Sequence, residues 1–148
     1  MPQNPRAAQQ AVVWQIIGEW SSAGDTTLFL KQANYFYGRN KINFAGSANS
    51  YLQHVEDKRA FEVVLNVFMS LFNTEQIKSY RAAIAGSFFQ TAGDYKFRVT
   101  DSRSNTEKNK NQQKFDLLKA TADKIMQAEK DEDNLKQYRP YVKKIFGS

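Results

Sequence analysis

The 148-residue chain has one histidine, His54, and no cysteine. A histidine or thiolate metal cluster, a disulfide and a cysteine nucleophile are therefore all excluded. His54 stands alone between Gln53 and Val55 and reads as a capping or surface residue, since a general base needs a partner to orient it. No phosphate-cradling glycine loop, dinucleotide fingerprint or nucleophile elbow occurs. Carboxylates crowd together at Asp131, Glu132 and Asp133. Such a triplet could hold a divalent cation through oxygen, but its simpler role is a helix start, where carboxylates cap N–H groups and complement the dipole. Glu56 and Asp57 read the same way. The expectation is no catalysis, no metal and no cofactor.

The cations are more informative. Lys and Arg number 21 against 15 Asp and Glu, a net charge of +6. That balance favours a polyanionic partner, nucleic acid or an anionic membrane surface. Seven of the cations are Lys96, Arg98, Arg103, Lys108, Lys110, Lys114 and Lys119, against Asp101, Glu107 and Asp116 in the same stretch. The Asn, Gln, Ser and Thr between them can add neutral hydrogen bonds to phosphate oxygens. Arg39 with Lys41, and Lys58 with Arg59, form further pairs. A last cluster, Lys136, Arg139, Lys143 and Lys144, reads equally well as a solvated face. The candidate nucleic-acid contacts are therefore Arg39, Lys41, Lys58, Arg59, Lys96, Arg98, Arg103, Lys108 and Lys110. With no recognition-helix, zinc-finger or stacking-sheet pattern, contact should be with the backbone and independent of sequence.

Hydrophobic spacing shows what must position these side chains. Hydrophobic residues make up 41% of the chain, enough for a real core. Pro5 suits a first helical turn, and Val13, Ile16, Ile17 and Trp20 keep helical spacing after it. Gly24 and Asp25 mark a stop and a new start, and Phe29, Ala33 and Phe36 line one face as far as Gly38. Five aromatics fall between Leu28 and Gly46, but this spacing makes most of them packing. Arg39 to Gly46 reads as a loop, and Ser47 to about Val55 as a short helix.

Asp57 should cap the clearest helix, in which Phe61, Val64, Leu65, Phe68, Leu71 and Phe72 make a stripe wide enough for a central position. Asn73 and Gln76 resemble a capping box opening a helix through Ile77, Tyr80, Ile84 and Phe88, which Gly93 would end. Tyr95, Phe97 and Val99 alternate with Lys96 and Arg98 and suggest a short extended piece. Residues 95–114 read as a long basic loop or a solvated helix start, with no apolar residue between Val99 and Phe115. Phe115, Leu118, Ala122 and Ile125 resume the helical period. Leu135, Tyr138, Val142, Ile145 and Phe146 continue it beyond the acidic run, with Pro140 either kinking the helix or beginning a separate turn. The fold expected is all-α, a compact single-domain bundle of five to seven helices over residues 1–148. No apolar run reaches about 18 residues, so no signal peptide or membrane span is expected, and the location expected is the cytoplasm.

Three strings, "VVWQIIGEW", "FLKQANYFYGRNKIN" and "EDKRAFEVVLNVFMSLF", together resemble the C-terminal helical region of the type I-D CRISPR large subunit. In that family this region is similar to the free small subunit of the Cascade surveillance complex. The resemblance implies a compact, basic, helical and non-catalytic subunit in antiviral defence, stacked in two or more copies within a ribonucleoprotein. Its partners would be crRNA, target DNA, the backbone and large subunits, and further copies of itself. The guide would supply specificity by base pairing while the protein supplies a charged track. A different class of reading is a structural helical protein, such as a filament or coat subunit, whose basic loops meet neighbouring subunits.

Overall fold

Asp57 and Asp131 each begin a helix by the same device. Asp57 has extended backbone, and its carboxylate accepts the N–H groups of Arg59 and Ala60, both at 3.3 Å. Asp131 accepts the N–H of Asn134 at 3.0 Å, with Glu132 and Asp133 in the first turn behind it. The acidic triplet is thus a helix start, as its composition suggested. The computed structural model describes residues 41–147, and within them lie five helices and no strand. They are α1 (Lys41–Leu52), α2 (Lys58–Thr74), α3 (Lys78–Thr100), α4 (Asn105–Ala128) and α5 (Glu132–Phe146). The helices expected around Val13–Trp20 and Phe29–Phe36 lie outside the described residues, as does Arg39.

Three local expectations are corrected. Residues 95–114 are neither extended nor a long loop: α3 passes through Gly93 to Thr100, and only residues 101–104 connect it to α4. A glycine inside a helix costs about 1 kcal/mol relative to alanine, less than the burial of one large aromatic contributes. Tyr95, two residues on, is buried edge-to-face against Phe61 at 5.5 Å and donates its hydroxyl to the Leu52 carbonyl at 2.6 Å. The polar segment from Asn105 is a helix start. Ser104 Oγ accepts the Glu107 N–H at 3.1 Å, and Glu107 returns the favour to the Arg103 N–H at 3.0 Å.

The second correction concerns Asn73 and Gln76, which form no capping box, because α2 continues to Thr74 and α3 begins only at Lys78. Ile77 caps α3 without a side-chain hydrogen bond, and the Arg81 guanidinium covers the Glu75 and Gln76 carbonyls instead. The third is at Arg39–Gly46: from Lys41 this segment is already α1, which ends at Leu52 rather than Val55. Ala45, Ala48 and Leu52 give it a fully buried stripe against the bundle.

One apolar core draws on all five helices. The α2 stripe is its most buried surface, with Phe61, Val64, Val67 and Phe68 wholly enclosed. The helix that packs against all four others, however, is α3. Pro140 lies within α5, whose Tyr138 and Ile145 point into the core.

The contacts also set the helix directions. Phe61 meets Tyr95 and Phe68 meets Phe88, so α2 runs against α3. Arg81 meets Glu129 while Asn111 meets Ser102, so α4 also runs against α3. Asn49 pairs with Thr91 and Leu52 with Tyr95; Asn134 pairs with Lys78 and Tyr141 with Phe89. Helices α1 and α5 therefore run with α3. The C-terminal ends of α1, α3 and α5 consequently share one end of the bundle with the N-terminal ends of α2 and α4.

Candidate nucleic-acid interface

At that shared end α1 finishes with carbonyls that its own turns cannot satisfy. Arg98 Nη1 donates to the Gln53 carbonyl at 2.9 Å, and Lys114 Nζ donates to the Val55 carbonyl at 2.9 Å. Both cations complement the negative end of the α1 dipole. The Arg98 guanidinium also lies over the Tyr95 ring, 4.6 Å from its centroid. Lys114 is only 8% exposed, which removes it from the outer surface. Burial pushes its ammonium below the ordinary lysine value; Glu56 opposes this, and Arg98 and Lys110 reinforce it. Burial pushes the Tyr95 hydroxyl up, with Arg98 opposing.

Lys96 is tied to another helix end. Its ammonium donates to the Lys144 carbonyl at 2.6 Å, beside the left-handed Gly147 that closes α5. Lys58 makes a 3.9 Å ion pair with Glu62 in which both side chains are about half exposed, an arrangement that contributes little. Among the described residues, Arg59, Arg103, Lys108 and Lys110 are the exposed candidates whose side chains make no hydrogen bond or ion pair.

The structure thus brings Lys58, Arg59, Lys96, Arg98, Arg103, Lys108 and Lys110 to one end of the bundle, although they span 53 positions of sequence (58 to 110). Lys41 is not among them, since it opens α1 at the opposite end. An open groove of about 720 Å³ crosses the basic end. Arg98, Lys110 and Lys114 line it together with Glu56, Asp101 and Glu107, so its walls are of mixed sign, and His54 sits at its edge. Arg59, Arg103 and Lys108, unpartnered and outside its lining, are the more favourable ground for phosphate.

The opposite end carries Glu75, Asp131, Glu132 and Asp133 together with Lys41, Lys78 and Lys130, and Lys78 pairs there with Asp131 and Asp133, so its charges largely balance and the excess of cations lies at the basic end. Sequence reasoning names Lys114 among the cations without its burial, and leaves Lys143 and Lys144 as equally well a solvated face. Lys114 falls four residues before Leu118 and eleven before Ile125, in phase with the buried face of α4, and that spacing marks it as an inward lysine. Lys143 and Lys144, in the last turn of α5, belong to the basic end as well. Among the described residues no cluster of His, Cys, Asp and Glu is suited to a metal ion, and no helix is long and apolar enough to cross a membrane. Compared with known families, curated proteins and solved structures, the chain has no match.

Proposed function

We propose that this chain is a non-catalytic helical subunit that holds nucleic acid by sequence-independent backbone contacts, as the small subunit of a type I-D CRISPR surveillance complex. In this reading it works in the cytoplasm, in antiviral defence, as a single domain of five to seven helices over its full length. It supports the crRNA–target duplex, contacts the complex's other subunits and further copies of itself, and needs no cofactor. The observation that carries the reading is the gathering of the basic side chains at one end, with Arg59, Arg103, Lys108 and Lys110 left unpartnered there. Cations that the fold does not consume are available to neutralise phosphate.

The test is a salt titration of DNA affinity, for the free subunit and for the assembled complex. Four phosphate contacts give a slope of log K against log salt of roughly −3.6, or about a hundredfold loss for a fourfold rise in salt. Charge reversal at Arg103, Lys108 and Lys110 should flatten that slope. A flat response of the parent complex, or no binding by it, overturns the proposal.

A second reading rests on the same excess of cations at one end. It suits a structural helical interaction protein, such as a filament or coat subunit, whose basic end meets acidic patches of neighbouring subunits. Under that reading, reversing Lys96, Arg98 and Arg103 to Glu abolishes assembly in the absence of nucleic acid.

A further inference from the structure

Two aromatic rings stand outside the core on one side of the bundle. Phe97 is 72% exposed and Tyr141 is 52% exposed. Tyr141 is stacked nearly parallel on Phe89, with centroids 5.7 Å apart and planes 11° apart. Phe89 itself is buried, at 2% exposure. Phe89 therefore covers one face of the tyrosine ring, and the exposure of Tyr141 belongs to its outer face. A ring fixed from beneath and open above is a stacking platform that loses little entropy when a second ring lands on it.

Phe89, Gly93 and Phe97 follow one another at i, i+4, i+8, a single ridge along α3. At 1.5 Å per residue, the level of Phe97 lies about 12 Å beyond that of the Phe89–Tyr141 stack, roughly three and a half base steps at duplex spacing. Gly93 keeps the ridge low between them. A Cβ there would meet nothing nearer than Ile145 Cδ1 at 4.0 Å, so packing does not demand the glycine. The cations stand at the Phe97 end, where Lys96 reaches the last turn of α5 and Lys144 lies one turn beyond Tyr141. Phe97 also lines the mixed-sign groove beside Asp101 and Glu107, whose carboxylates bound the strip on that side.

From this we infer that Tyr141, Phe97 and Lys144 form a site for single-stranded nucleic acid, in which unpaired bases stack on the two rings and Lys144 meets a phosphate, with the charge of Lys96, held on the Lys144 carbonyl, beside it. The chemistry needs both halves: aromatic faces for bases and ammonium groups for backbone, the combination that serves single strands without reading sequence. A duplex, whose bases are already stacked, gains nothing from the rings. The inference rests on the proposed nucleic-acid role and adds a strand preference to it.

The experiment compares affinity for an oligothymidylate and for a duplex of equal length, using the full chain and then the assembled complex. Phe97→Ala and Tyr141→Ala should each weaken single-strand binding by about tenfold or more and leave duplex binding within about twofold. Tyr141→Trp should keep the affinity. Phe97→Ala removes a side chain lying outside the core, so its effect is not a folding effect, and thermal melts of both variants check this. Equal single-strand affinity in parent and variants overturns the inference while leaving the nucleic-acid role intact. Loss of subunit assembly with unchanged strand affinity also overturns it, and assigns the rings to a protein neighbour. If the parent binds neither probe, free or assembled, the proposed function falls and the stacking site with it.

Discussion

Arg81 reaches from the start of α3 to Glu129 at the end of α4, its Nη2 3.0 Å and its Nε 3.1 Å from Oε2 of a side chain with no exposure to solvent. The remaining demands of that carboxylate are met from α5. Asn134 Nδ2 and the Tyr138 hydroxyl each donate to Oε1 at 2.8 Å, and the Asp131 N–H donates to Oε2 at 3.3 Å. Three helix ends are thereby pinned by one buried anion. Breaking such a pair leaves its partner charge uncompensated, so Glu129→Ala should lower stability by about 3–5 kcal/mol in urea unfolding. Arg81→Ala should cost a similar amount, because it leaves the wholly buried carboxylate with three neutral donors and no countercharge.

The same cluster predicts an acid-sensitive fold. Burial by itself would raise the Glu129 pKa, but the hydrogen bonds from Arg81, Asn134, Tyr138 and the Asp131 backbone outweigh it and hold the carboxyl below its ordinary value of 4.5. Burial and the bond to Glu129 push the Tyr138 hydroxyl far up, so it stays a donor throughout. A folded pKa below the unfolded one gives stability that is complete above about 4.5 and lost as pH falls through the lower, folded value. The urea midpoint should therefore hold steady down to the ordinary carboxylate range and fall below it. Glu129→Gln should start lower and show a shallower acid decline.

The residues that made the fold legible were those with a period and a cap. The α2 stripe, Asp57, the acidic triplet and the run from Phe115 to Ile125 announced helices because burial and capping follow directly from residue type and spacing. What was misread turned on contacts distant in sequence. Tyr95 carries α3 past Gly93 because it packs on Phe61 and bonds Leu52, neither of which is near it in sequence. In the candidate interface, sequence located the cations but did not divide them. Arg98 and Lys114 are used up by carbonyls 45 and 59 positions away, whereas Arg103 and Lys108 are not.

That division is itself testable. Arg98→Ala and Lys114→Ala each remove a charged hydrogen bond to a carbonyl at the α1 end, and each should cost about 1.5–3 kcal/mol of stability. Arg103→Ala, Lys108→Ala and Lys110→Ala change exposed side chains and should stay within about 0.5 kcal/mol. If the proposed function holds, the second group lowers DNA affinity and the salt slope while the melting curve stays in place.

Helix α3 carries a second glycine whose replacement should help the fold. Gly86 lies mid-helix and exposed, and a Cβ built there meets nothing within 4 Å. Its backbone is helical, so alanine fits without strain and reduces the conformational freedom of the unfolded chain. Gly86→Ala should stabilise by roughly 0.5–1 kcal/mol and raise the melting temperature by about 2–4 °C in a domain of this size. Gly86 precedes the Phe89–Gly93–Phe97 ridge by less than one turn, so the same variant tests how far the proposed single-strand site extends. Unchanged oligothymidylate affinity in a stabilised protein places the end of that site at the Tyr141 ring, and a loss of affinity carries it a turn further toward the start of α3.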